Sequence, residues 1–177
     1  MRAALVQLTV TDDPAENLPA TLALVRKAVA GGAGFVLTPE LTNGLSSSRI
    51  RQRALFRHED EDETLAALRA EANAAGIWLL VGSLGLLTND ADGRFANRSF
   101  LIGPDGGIAA RYDKIHMFDV NVTATEVYRE SEGYRPGARA VLAETPFARI
   151  GMTVCYDLRF PALYRRLAQA GAQVLTV

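Results

Sequence analysis

Short apolar runs alternate with stretches of helical spacing, and the alternation occurs near both ends of the chain. Ala3 to Val10 and Phe35-Val36-Leu37 flank a stretch in which Leu18, Leu22, Val25 and Val29 recur every three or four residues. Asp12-Asp13-Pro14 precedes that stretch and Gly31-Gly32 follows it, which is the punctuation of a helix start and stop. Ile150 to Val154 and Val174 to Val177 flank a second such stretch, with Leu163, Leu167 and Ala170 at helical spacing, Pro161 at its first turn and Gly171 at its end. Strand, helix, strand at this spacing is a βαβ-like unit. Units of that kind bury their apolar faces only by layering helices on a sheet, so the chain is expected to be an α/β domain.

The middle of the chain fits the same class. Leu65, Leu68 and Ala72 mark a helix ending at Gly76, after an acidic cluster, His58 to Glu63, read as its solvated start. Ile77 to Val81 is a strand. Phe95 to Ile102 and Ile108 to Tyr112 form a hairpin about Pro104-Asp105-Gly106-Gly107. Leu41 to Arg57 opens as a loop, with weak helical character in Arg49 to Arg57. Asn121 to Arg139 is polar and reads as a long loop with one turn of helix. No repeat or linker divides the 177 residues, so residues 1–177 are expected to be one domain. Val174 to Val177 leaves the sequence inside an apolar strand, without cap or polar tail. The domain is therefore expected to be truncated at its C-terminal end, and residues 1–177 alone to be unfolded, aggregated or inactive.

Composition excludes some functions. The formal net charge is −1, which points to neither nucleic acid nor an anionic membrane as partner. The one cysteine cannot form an internal disulfide, and His58 and His116 lack metal-ligand spacing. No segment has the layout of a signal peptide or the length of a membrane span, so a cytoplasmic location is expected.

Three polar residues, Glu40, Lys114 and Cys155, each stand just past the end of an expected strand. In layered α/β folds such ends converge on a cleft. Together they supply a nucleophile, its base and a cation for a developing oxyanion, which acyl transfer by a thiol requires. Singly, each has an ordinary reading: a small buried hydrophobe, a helix-start carboxylate and a solvated charge. Cys155 sits where a strand turns into a helix, and backbone N–H groups and the helix dipole there are expected to favour its thiolate.

The segments Thr38-Pro39-Glu40-Leu41-Thr42-Asn43, Tyr112-Asp113-Lys114-Ile115-His116-Met117-Phe118-Asp119 and Cys155-Tyr156-Asp157-Leu158-Arg159-Phe160-Pro161 resemble the nitrilase superfamily, or carbon–nitrogen hydrolases. They look most like its amidase branch, the omega-amidases and deaminated-glutathione amidases, over the whole chain. The resemblance implies a four-layer αββα sandwich, here incomplete, paired into homodimers or larger assemblies through its outer helices. It implies a catalytic triad of Glu40, Lys114 and Cys155, and a second glutamate at Glu130, with Glu126 and Glu132 close beside it. It implies no metal or organic cofactor and a small-molecule amide as substrate. The backbone N–H of Tyr156 would join Lys114 at the oxyanion. Arg159 is expected either to clamp a substrate carboxylate or to form a structural salt bridge to Asp157 or another acid, while Asp157 and Asp119 are read as structural. Three functions follow: a thiol amidase acting on a small carboxylate-bearing amide; N-carbamoyl or nitrile hydrolysis by the same residues; and a binding or regulatory relative without turnover.

Overall fold

The structure, a computed structural model, describes all residues, 1–177. Its first sheet has five strands in the order of the chain: β1 (Ala3–Leu5), β2 (Phe35–Leu37), β3 (Trp78–Leu86), β4 (Ala96–Ile102) and β5 (Ile108–Asp113). Between them lie α1 (Pro14–Ala30), α2 (Arg49–Leu55) and α3 (Glu63–Ala75). Strands β1, β2 and β3 are parallel, and β4 and β5 each reverse direction. Hence β2 and β5 point the same way, and their C-terminal ends lie on one edge of the sheet.

The helix signals hold. Asp13 caps α1, its Oδ1 accepting from the Ala15 N–H at 2.9 Å, with Pro14 as first helical residue. Gly76, at φ +63°, ends α3 in the left-handed conformation that glycine adopts without strain. Val25, Val36, Leu68, Leu79, Val81 and Phe100 form the centre of the apolar layer between the sheet and the helices. The acidic start of α3 is more engaged than expected. Asp62 is buried; its Oδ1 caps Leu65 and its Oδ2 accepts from Asn43 Nδ2. Glu59 pairs with Arg98 and Arg111.

After β5 the chain forms a short exposed ribbon, β6 (Asp119–Asn121) with β7 (Val127–Arg129), where the sequence suggests a loop. The expected turn of helix follows as the 3₁₀ turn Glu130–Glu132. A three-stranded sheet comes next: β8 (Val141–Glu144), β9 (Arg149–Met152) and, beyond the helix α4 (Pro161–Gln169), β10 (Val174–Leu175), in the order β10-β9-β8. Strand β10 runs parallel to β9 at the sheet edge, as its apolar run suggests, although Val174 and Leu175 are exposed. The two sheets pack face to face through Phe35, Leu80, Leu101, Tyr112, Ile150 and Met152. Between Ile150 and Met152, Gly151 points the other way, and an added Cβ there would lie 3.2 Å from Leu167 Cβ of α4. The succession is helices, sheet, sheet, helix.

The loop after β2 is clamped onto β3. The β3–β4 register shifts between Val81 and Leu84, a bulge that frees Gly82 and Ser83. Ser83 Oγ accepts from the Leu41 N–H at 2.9 Å, the Ser83 carbonyl from the Thr42 N–H at 2.9 Å, and Thr38 Oγ1 from the Gly82 N–H at 3.2 Å. Asn43 adds two bonds to Gly85. A Cβ at Gly82 would sit 2.2 Å from the Thr38 carbonyl oxygen. Gly82→Ala is therefore expected to destabilise the domain by about 1–3 kcal/mol, as overpacking does, and to displace Glu40. Gly76→Ala meets nothing within 4 Å and costs only its left-handed φ, about 1 kcal/mol. Chemical denaturation of both variants, with thiol reactivity as the site readout, checks this: equal losses with an unchanged site in Gly82→Ala contradict it.

Candidate active site

The two ends of β2 and β5, and the end of β9 facing them, bring Glu40, Lys114 and Cys155 into one open cleft of about 640 Å³. Leu45, Phe118, Val127 and Tyr128 supply its apolar walls. Lys114 is 2% exposed, and its Nζ lies 2.9 Å from Glu40 Oε1 and 3.0 Å from Glu130. A buried ammonium is tolerable only when paired. Burial pulls the Lys114 pKa down, but the two carboxylates outweigh it and hold the pKa above the ordinary lysine value.

Of the three glutamates near the expected second position, the structure brings Glu130 to the site. Its Oε2 also accepts from the Phe118 N–H at 2.6 Å, which fixes the carboxylate. Glu126 bonds Tyr128 Oη on the exposed ribbon, and Glu132 is exposed. Asn97 was not singled out from the sequence. Buried on β4, it donates from Nδ2 to Glu40 Oε1 at 2.7 Å and lies 3.4 Å from Glu130 Oε1, while its main-chain carbonyl accepts from the Lys114 N–H. Its Oδ1 is buried without a partner. The sequence marks Phe95 to Ile102 only as a strand, and Asn97 stands there beside two further polar residues, Arg98 and Ser99, so spacing alone does not single it out.

Two non-glycine residues have positive φ, Leu41 at 53° and Cys155 at 48°. One follows Glu40 and the other is the cysteine itself. Such backbone is held only where its surroundings over-determine it, and it concentrates at functional sites. Around Leu41 the clamp is the bulge of β3. Around Cys155 it is Asp157, fully buried, whose Oδ2 accepts from the Val154 N–H at 2.9 Å and Tyr112 Oη at 2.7 Å, and whose Oδ1 accepts from the His116 N–H at 3.0 Å and meets His116 Nδ1 at 2.7 Å. Tyr112 and His116 bracket Lys114, so this carboxylate fixes the cysteine turn to the lysine strand.

The expectation that backbone N–H groups and the helix dipole favour the Cys155 thiolate is corrected. A 3₁₀ turn, Cys155–Arg159, separates the cysteine from α4, which starts only at Pro161, and helix-dipole effects fade within a turn. Burial, then the charge of Glu40, push the Cys155 thiol up to about 11, with Lys114 pulling the other way. At rest the sulfur carries its proton, and an acceptor for it, Glu40, is adjacent. Tyr156 is the second residue of the 3₁₀ turn, so its N–H has no acceptor within that turn; its ring packs on Phe118 and Phe160. Arg159 is exposed, pairs with no acid and does not line the cleft; Asp157 is engaged elsewhere. No group of three His, Cys, Asp or Glu side chains is placed to hold a metal ion.

The chain is 37% identical to the deaminated glutathione amidase of Yersinia enterocolitica over 98% of its own length and 60% of that protein's. It is 31% identical to the omega-amidase of Homo sapiens over 98% of its length and 61% of the other's. The chain thus spans about 60% of the curated relatives it matches. Among solved structures, the C. elegans NitFhit protein superposes with a TM-score of 0.88 at 28% identity, over 98% of this chain and 42% of that one. A mutant amidase from Nesterenkonia sp. AN1, in which acrylamide has added to the active-site cysteine, superposes with a TM-score of 0.81 at 26% identity, over 99% of this chain and 65% of that one. The fold is accordingly the α/β fold of the nitrilases. The carbon–nitrogen hydrolase family model matches residues 2–177, and the chain belongs to that family.

Proposed function

We propose that this protein hydrolyses a non-peptide C–N bond, an amide of a small carboxylate-bearing molecule, and releases ammonia through a thioester on Cys155. The observation that carries this reading is the cluster itself: a protonated thiol on strained backbone, a carboxylate beside it, and a buried ammonium held between two carboxylates in the same cleft. The amidase names of the relatives support it.

In this mechanism Glu40 takes the thiol proton as Cys155 attacks the amide carbon. A thiol at about 11 leaves about one in ten thousand ionised at pH 7, so the base is needed during attack. Lys114 and the Tyr156 N–H stabilise the tetrahedral oxyanion. Glu40 returns the proton to the departing nitrogen, and ammonia leaves as the C–N bond breaks. Glu40 then takes a proton from water, whose oxygen attacks the thioester; the C–S bond breaks and Glu40 returns that proton to the departing sulfur, freeing the acid and the thiol. Glu130 and Asn97 touch no reacting atom in this scheme; they hold Lys114 and Glu40 in place. We further place the protein in the cytoplasm and expect its copies to pair through the outer helices, as the four-layer sandwich of the family resemblance implies.

Ammonia release from a panel of carboxylate-bearing amides, N-carbamoyl amino acids and nitriles tests the reading, with mass spectrometry of a trapped Cys155 acyl adduct. Preferred turnover of a nitrile, or turnover in Cys155→Ala, contradicts it. Lys114→Met is expected to lower kcat by ~100- to 1,000-fold, the usual loss for one oxyanion stabiliser, with circular dichroism showing a retained fold. An unchanged kcat with a raised KM makes Lys114 a binding residue instead.

The charge of Glu40 raises the thiol pKa, so Glu40→Gln is expected to make Cys155 more acidic while abolishing turnover. Iodoacetamide alkylation across pH 7–11 reads this directly. The wild-type rate rises only toward the alkaline end, and the variant's rise moves to lower pH. A variant thiol that is no more acidic, or that retains turnover, removes Glu40 as the base.

A further inference from the structure

Arg49 is an arginine in the cleft with no acid to answer it. Six other arginines form ion pairs with carboxylates, and Arg49 forms none. The remaining cations of the cleft are occupied. Lys114 is shared by Glu40 and Glu130. Arg129 donates to the carbonyls of Val120 and Tyr128 and to Asn121 Oδ1, which ties it to the ribbon.

The Arg49 guanidinium is nevertheless held in place from three sides. Its Nη1 donates to Gln52 Oε1 at 2.9 Å. Gln52 is itself buried, donating to the Ser46 carbonyl at 2.6 Å and lying 3.3 Å from Tyr134 Oη. The guanidinium carbon lies 5.3 Å from the centre of the Tyr134 ring, a cation–π contact. On a third side it rests on Gly133, where an added Cβ would lie 1.8 Å from Arg49 Cζ, so only glycine leaves room for it. One of five guanidinium donors is used by Gln52. The charge and the other donors stand at a cleft wall without a protein partner. A planar fork of this kind matches a carboxylate by two parallel hydrogen bonds.

We propose that Arg49 binds the anionic group of the substrate and thereby selects amides that carry a carboxylate at the end remote from the scissile bond. Lys114 and Cys155 fix one end of the substrate, and Arg49, on another wall of the same cleft, receives the other. This proposal rests on the amidase reading above. It transfers to Arg49 one of the two roles that the sequence leaves open for Arg159, which does not line the cleft.

The test compares glutaramate, the monoamide of glutaric acid, with neutral butyramide, using kcat/KM ratios. Loss of a charge-assisted pair is expected to lower the ratio roughly 10- to 100-fold in Arg49→Gln. Arg49→Lys recovers part of it, and Arg51→Gln, a surface arginine paired with Asp12, leaves it unchanged. A ratio preserved in Arg49→Gln, or one that collapses in Arg159→Gln instead, overturns the proposal. So does an equal loss on both substrates, which marks a structural role. Calorimetric binding of glutarate to Cys155→Ala and to Cys155→Ala/Arg49→Gln decides the matter without turnover. Equal affinities overturn the role of Arg49 alone, whereas a wild type that releases ammonia from no amide overturns the amidase reading and leaves the binding comparison valid.

Discussion

A lysine ammonium 2% exposed to solvent is the cation on which the cleft is built. Removing such a charge from water is expensive, and losing one partner of a buried pair leaves the other uncompensated, typically a loss of about 3–5 kcal/mol. The Lys114 Nζ therefore requires Glu40 and Glu130 at hydrogen-bond distance, and it has both. Those three residues come from three separate segments: the loop after β2, the end of β5, and the 3₁₀ turn after the ribbon. Each segment is anchored by its own device, the bulge of β3 for Glu40, the sheet for Lys114, and the Phe118 N–H for Glu130. The cluster thus couples the order of three loops to the solvation of one charge.

Much of this is legible in the sequence. Helix caps, glycine stops and the strand–helix–strand spacing follow from local chemistry, and residues just past strand ends could be ranked as site candidates for that reason. Other features depend on partners that sequence spacing does not reveal. Strand β8 is four residues long and β6 and β7 are three each, mostly exposed, so no sustained alternation marks them. Asn97 is a polar residue in a core strand, intelligible only once Glu40 and Glu130 are seen on either side of it. Arg49 lies in a weakly amphipathic basic stretch, and its want of an acidic partner is a three-dimensional fact.

The corrected expectation about Cys155 has the same origin. A strand-to-helix turn favours a thiolate when the helix dipole and N–H groups dominate. Here the loss of solvent, and then a neighbouring carboxylate, outweigh Lys114. The result suits a base-assisted nucleophile better than a free thiolate. A standing thiolate beside Glu40 would place two negative charges together in the resting cleft, whereas a thiol next to a carboxylate keeps a single one, which in the proposed chemistry passes to the substrate oxygen as Glu40 takes the proton and the sulfur attacks.

The cysteine must also keep its register with the lysine. Cys155 follows a strand of the three-stranded sheet and Lys114 follows a strand of the five-stranded one. Between the sheets the contact is apolar, through Tyr112, Ile150 and Met152 among others. Apolar faces resist separation but impose little on sliding, since dispersion and burial are non-directional. Asp157 supplies the direction. It is fully buried and bonded to the Val154 N–H just before the cysteine, and to Tyr112 and His116 on either side of Lys114. A shift of about 1 Å between the sheets would stretch these short bonds toward the limit of hydrogen bonding and leave a carboxylate unsatisfied in the core. A residue read from the sequence as merely structural therefore sets the distance between nucleophile and cation, which is the quantity that the proposed chemistry depends on.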